Sequence, residues 1–128
     1  MRSDIRNRED IALFVNHFYN KLLNDNKIRH FFDAILAAGK LGDHLETITD
    51  FWNGILFNSP DYRRDAMQPH LMLNKSIPFK KQHFNCWLQH FQTTIDEYFE
   101  GANAEKAKTR ALSIATIMEI KMMNEHKE

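Results

Sequence analysis

The sequence predicts an all-α fold, and three observations carry that prediction. Phenylalanine occurs 10 times, whereas glycine and proline, which interrupt helices and close tight turns, occur only 4 and 3 times. Four separate stretches place apolar side chains at the three-and-four spacing of a helical face. No stretch shows the strict alternation of a half-buried strand.

The first helical stretch runs from about Arg8 to Leu23, with Asn7 or Asp4 as its cap. Ile11, Phe14, Val15, Phe18, Tyr19 and Leu22 form one stripe along it. Tyr19 lies on that stripe, so its hydroxyl points inward and needs a partner. Asn24-Asp25-Asn26 ends the helix. A short turn over Ile28 to Phe32 holds the pair Phe31-Phe32, and Ala34 to Gly42 reads as a short helical piece plus loop. Asp43 with Glu46 gives a capping-box-like start to a second long helix, which runs to about Leu56 or Phe57 before Asn58-Ser59-Pro60 stops it. His44 shares a broad side of this helix with Ile48, Phe51, Trp52 and Ile55.

From Ser59 to Ile77 no period is sustained, and long connections in compact domains tend to be functional. A third long helix over about Lys80 to Phe99 carries Phe84, Trp87, Leu88, Phe91, Ile95, Tyr98 and Phe99, and Gly101 ends it. Asn103 is the expected cap of the last helix, which continues to about Asn124 on Ala107, Ala111, Ile114, Met118 and Met122.

At 128 residues the chain is expected to be a single domain. A chain of that size buries roughly two-thirds of its unfolded surface, enough for a core with room for a cofactor. Lysine plus arginine balance aspartate plus glutamate at 17 each, which argues against the basic footprint of a nucleic-acid binder or a polybasic membrane patch. The one cysteine, Cys86, precludes an intramolecular disulfide and fits a reducing compartment. The opening MRSDIRNRED has no apolar signal region, and no run approaches the ~20 apolar residues of a spanning helix. A cytoplasmic location is the expectation.

Two histidines stand near the ends of the central region. His70 follows Pro69 in the aperiodic stretch, with Leu71-Met72-Leu73 behind it. A neutral imidazole is a good ligand for haem iron, and Leu71 and Leu73 offer a flat macrocycle something apolar to rest on. The plainer alternative is a surface histidine on a loop. His44 sits near a helix start, where the macrodipole disfavours imidazolium and a neutral ring is expected. Tyr19 and Trp87 each bring a large apolar body with one polar hydrogen to the buried stripe of a separate helix. Converging on one cavity, they would aim two donors at a point, which suits bound dioxygen as an acceptor; otherwise they are core aromatics bonded to backbone carbonyls. A rival constellation is His83, Cys86 and His90, an H-x2-C-x3-H set on one face of the third helix that could ligate zinc. It lacks a fourth ligand, and no second cysteine exists.

These residues resemble the truncated haemoglobins, bacterial globins, and specifically their third group. The resemblance spans nearly the whole chain. It rests on Phe18-Tyr19 late in the first helix, Phe32 in the following turn, and His44 seven residues before Phe51. It continues through His70-Leu71-x-Leu73 and His83-Phe84-x-x-Trp87-Leu88-x-x-Phe91. The family implies a globin-like, truncated two-over-two helical sandwich binding one haem b, with His70 as the proximal iron ligand. It implies Tyr19, His44 and Trp87 as the distal polar residues around a diatomic gas. Phe32 would stack on the macrocycle, with Ile48, Phe51, Trp52, Leu73 and Phe84 as further cofactor contacts. The chain departs from the family pattern at Leu41, where many members have tryptophan, and at Ser76-Ile77-Pro78 before the third helix.

The implied function is reversible binding of dioxygen, nitric oxide or carbon monoxide at a His-ligated iron, for oxygen binding, scavenging or redox chemistry of nitric oxide. A haem enzyme, a nitric oxide dioxygenase or a peroxidase served by an external reductase, is the alternative. A non-haem helical module binding zinc or a partner is the third.

Overall fold

The computed structural model describes residues 2–57 and 80–125, with side chains through Ile120. Helix α1 spans Arg8–Leu23. Asn7 stands just before it in extended backbone, and its side-chain oxygen accepts the Asp10 N–H at 2.9 Å. Of the two proposed caps, Asn7 is therefore the one used.

Asp4 caps a different helix. Its Oδ2 accepts the Asn103 N–H at 3.0 Å and its Oδ1 accepts the Ala104 N–H at 2.9 Å. The last helix accordingly begins at Ala102, and Asn103, expected as its cap, lies inside its first turn. The Asn103 side-chain amide instead donates to the Ile5 carbonyl at 2.8 Å. Gly101 makes room for this arrangement: its φ is +139°, and a Cβ there would meet Asp4 Cγ at 2.6 Å.

Replacing Asp4 with alanine should cost about 1–2 kcal/mol, the usual cost of deleting a helix cap, read as a lower urea midpoint. The effect should depend on acid. Burial works to raise the Asp4 carboxyl, but the N–H groups of Asn103, Ala104 and Ile5 together outweigh it and hold the carboxyl below its ordinary value. A carboxylate depressed on folding contributes stability above its unfolded pKa and loses it as pH falls through the folded value. The gap between wild type and Asp4→Ala should be full at neutral pH and close below the ordinary carboxylate range.

After α1 come a 3-10 turn, Arg29–Phe32, and the short helix α2, Asp33–Ala37. Gly39, at φ +69°, turns the chain into α3, Leu41–Phe57. The His44 N–H already bonds the Lys40 carbonyl at 3.0 Å, so the helical ladder starts before Asp43. The expected Asp43–Glu46 box is thus not the start of this helix. Glu46 instead pairs with Arg8 of α1 at 3.2 Å. Helix α4 is Lys81–Tyr98 and helix α5 is Ala102–Glu125. Among the described residues there is no strand, only an isolated bridge between Ser3 and Phe99.

Helix α1 packs on α3 and α4, while α5 packs on α4 and touches α3. Each long helix thus meets two others, which is the two-over-two sandwich. Phe91 is the hub, fully buried. Its ring meets Phe14 and Phe18 edge-on at 5.6 and 5.2 Å and stacks with Trp52 and Trp87 at 4.8 and 5.9 Å. On α5 the buried positions Ala104, Ala107, Ala111 and Ala115 are small, which lets its backbone approach the aromatic layer closely.

Candidate functional site

The stripe of α1 brings Tyr19 to the inner side of the 3-10 turn and of α3. Tyr19 is 2% exposed, and its hydroxyl lies 2.8 Å from His44 Nε2. The partner that the buried phenol requires is therefore an imidazole from the first turn of α3. The Tyr19 ring is wedged edge-on between Phe18 at 5.4 Å and Phe32 at 5.6 Å. Burial pushes the Tyr19 phenol far above its ordinary value, so it stays a protonated hydroxyl with one hydrogen to give.

Trp87 approaches from α4, with its ring edge-on to Phe18 at 5.5 Å. One Phe18 ring therefore touches both Tyr19 and Trp87. The Trp87 indole N–H is buried and has no hydrogen-bond partner among the described residues. Among the described residues, donation to backbone carbonyls holds for neither aromatic: the Tyr19 hydroxyl meets an imidazole, and the Trp87 N–H meets no acceptor.

Of the other expected contacts, Phe32 and Phe84 are buried at 1% and 4% exposure, and Ile48 is buried on the same helix as His44. Phe51 is half-buried and touches Trp52 at 5.5 Å. Trp52 is in the core, stacked on Phe91 with Phe14 at its edge. His70 and Leu73 lie outside the described residues.

The H-x2-C-x3-H face does not act as one set. His83 turns back to the start of its own helix, where its Nδ1 accepts the Lys80 N–H at 2.8 Å. Burial, with the charges of His30 and Lys80, lowers its pKa and keeps it neutral. Cys86 and His90 meet Asp25 instead. Helical spacing told which residues share a face but not which way each ring turns. Asp25 was legible only as part of the Asn-Asp-Asn break.

A shortened two-over-two fold, with a buried tyrosine bonded to a histidine and a buried indole N–H that no described residue accepts, fits a globin. The chain belongs to the bacterial-like globins, whose sequence pattern it matches over residues 4–124. It is similar to the group 3 truncated hemoglobin ctb of Campylobacter jejuni, 26% identical over 118 residues that make up 91% of each chain. The crystal structure of a group III truncated hemoglobin from Campylobacter jejuni has the same fold, with a TM-score of 0.84 at 24% identity, covering 100% of both chains. The resemblance read from the motifs thus holds over the length of the chain. Membership of a globin family implies haem.

The residues present suit that group. Leaving a buried N–H unsatisfied costs about 1–3 kcal/mol, and folded proteins rarely tolerate it. A buried Trp87 N–H that no described residue accepts, linked through the Phe18 ring to a Tyr19 hydroxyl bonded to His44, gives polar donors set among buried aromatics to which a small polar acceptor could bind. No helix among the described residues is long and apolar enough to cross a membrane.

Proposed function

We propose that the chain holds one haem b through His70 and retains a diatomic gas between Tyr19, His44 and Trp87, for oxygen binding, scavenging or nitric oxide chemistry. The observation that carries this reading is the buried Trp87 N–H, which has no partner among the described residues. When bound, the haem supplies an iron that takes a gas molecule in its reduced state.

The chain's own residues supply the rest. Phe32, Ile48, Phe51, Trp52, Leu73 and Phe84 exclude water and give the macrocycle apolar contact. Tyr19 and His44 share one proton position between them. With the hydrogen on His44 Nε2, the imidazole donates to the Tyr19 oxygen and the phenol hydrogen is free for the gas; with Nε2 bare, Tyr19 donates to it instead. His44 therefore governs whether Tyr19 can hold a hydrogen toward the ligand, whereas Trp87 can donate in either case. Two such donors slow release of an acceptor such as oxygen, which favours retention over bulk transport. Turnover of nitric oxide or peroxide would draw electrons from an external reductase, and the cytoplasm is the compartment that fits a lone reduced cysteine.

The test is an absorption spectrum of the purified protein, ferric, dithionite-reduced and carbon-monoxide-bound. A Soret band that shifts on reduction and shifts again with carbon monoxide is the expected result. Absence of the band, even after haem is added to the apoprotein, would overturn the reading.

A further inference from the structure

The proposed gas chemistry uses none of Asp25, Cys86 and His90; Cys86 precedes Trp87 on α4 but turns its sulfur to Asp25. Cys86 and His90 are four residues apart on α4 and project from one face of it, one turn from each other. Asp25 reaches them from the turn that ends α1. Its Oδ1 accepts the Lys27 N–H at 2.9 Å, and its carbonyl accepts the Ile28 and Arg29 N–H groups at 3.1 and 2.9 Å. The turn therefore holds the carboxylate still and directs its other oxygen outward. That oxygen, Oδ2, lies 2.9 Å from Cys86 Sγ and 2.7 Å from His90 Nε2. One sulfur, one nitrogen and one oxygen converge within 4.8 Å of one another.

Access is built in. The Asp25 and His90 side chains are 19% and 25% exposed, and Cys86 is half-buried beside them. A cleft of about 660 Å³ borders Asp25 and His90, and one of about 410 Å³ borders Cys86. Lys27 and Gln89 line both.

We propose that Asp25, Cys86 and His90 form a zinc site, with water from the clefts as fourth ligand. A mixed sulfur, nitrogen and oxygen set is the donor chemistry that this borderline-soft ion prefers. Zinc bonds of about 2.0–2.3 Å in tetrahedral geometry hold ligand atoms roughly 3.3–3.8 Å apart. The Oδ2–Sγ and Oδ2–Nε2 separations must therefore widen by less than about 1 Å, while Sγ and Nε2 stay within the 4.8 Å that already encloses the three atoms, changes of the size side-chain torsions supply. As the zinc–sulfur bond forms, the thiol proton leaves to solvent and no oxidation state changes. Thiolate and carboxylate then balance the dication, and the imidazole stays neutral. The Lys27 N–H on Oδ1 is the outer hydrogen bond that orients the carboxylate ligand. His83 is excluded, because its Nδ1 is committed to the Lys80 N–H. The set is Asp-Cys-His across two elements rather than His-Cys-His along one helix.

The test is a zinc titration, by calorimetry, of the purified full chain after dialysis against chelator. We expect one zinc per chain at micromolar affinity or tighter. Asp25→Asn, Cys86→Ser and His90→Gln should each weaken it about tenfold or more, while His83→Ala leaves it unchanged. Zinc-edge X-ray absorption should read one sulfur among the ligands. Should a variant fail to fold, alkylation of Cys86 in the wild type by iodoacetamide keeps the test open, since zinc must slow it. Binding weaker than millimolar, binding equal in all three variants, a zinc edge without sulfur, or alkylation indifferent to zinc would each overturn the site. The last three outcomes would leave the triad as a hydrogen-bonded tie between the α1 turn and α4.

Discussion

His70→Ala should lose most of its haem on gel filtration, with the Soret absorbance per chain falling to a small fraction of the wild-type value. A proximal histidine is the protein's coordinate bond to haem iron in a globin, so its removal leaves the cofactor only non-covalent contacts. The expectation for His70 rests on its sequence setting, after Pro69 and before Leu71-Met72-Leu73, and on the family pattern. Two controls sharpen it. His44→Ala should keep haem, because His44 is engaged at Nε2 by the Tyr19 hydroxyl at 2.8 Å and is proposed for the ligand side. Free imidazole added to His70→Gly should recover part of the Soret band by filling the space the ring vacates. Full occupancy with an unchanged spectrum in His70→Ala would remove His70 as the iron ligand. Haem loss in His44→Ala alone would assign the iron bond to the other histidine.

Where a structural signal is local, the residues announce it. The bounds of α1 follow from Asn7, whose side chain bonds the Asp10 N–H three residues on, and from a stripe that is buried at all six of its positions. The start of α5 is different. Its acceptor, Asp4, comes from 99 residues away, so Asn103 was the only cap that neighbouring residues could suggest. The same limit applies to the site. That Tyr19 needs a partner follows from a phenol on a buried stripe, and periodicity places His44 near the start of α3. That these two meet, 25 residues apart, depends on how α1 crosses α3. Asp25 joins Cys86 from 61 residues away, across a turn that carries no metal-ligand spacing. Periodicity selects the face of a helix; packing alone decides what stands opposite.

Trp87→Phe and Tyr19→Phe should each speed oxygen dissociation about ten- to a hundredfold, since hydrogen bonds to a charge-bearing acceptor are worth about 1.5–3 kcal/mol and each 1.4 kcal/mol is tenfold. The two substitutions should differ in what they do without ligand. Trp87 offers a buried N–H that no described residue accepts, so Trp87→Phe removes an unsatisfied donor. Relief of that donor, about 1–3 kcal/mol, opposes the packing lost against Phe18 and Phe91, and the urea midpoint of ligand-free protein should move little. Tyr19→Phe breaks a formed bond and leaves His44 Nε2 without the phenol, so the midpoint should fall. Combining Tyr19→Phe with His44→Leu should be less than additive in dissociation rate, because both act through one proton. Combining Tyr19→Phe with Trp87→Phe should be close to additive, because the two donors are independent. Stopped-flow displacement of oxygen by carbon monoxide measures all of these rates. Unchanged dissociation in both single variants would take Tyr19 and Trp87 out of the ligand network. A large drop in ligand-free stability for Trp87→Phe alone would mean that the indole serves the core and not the gas.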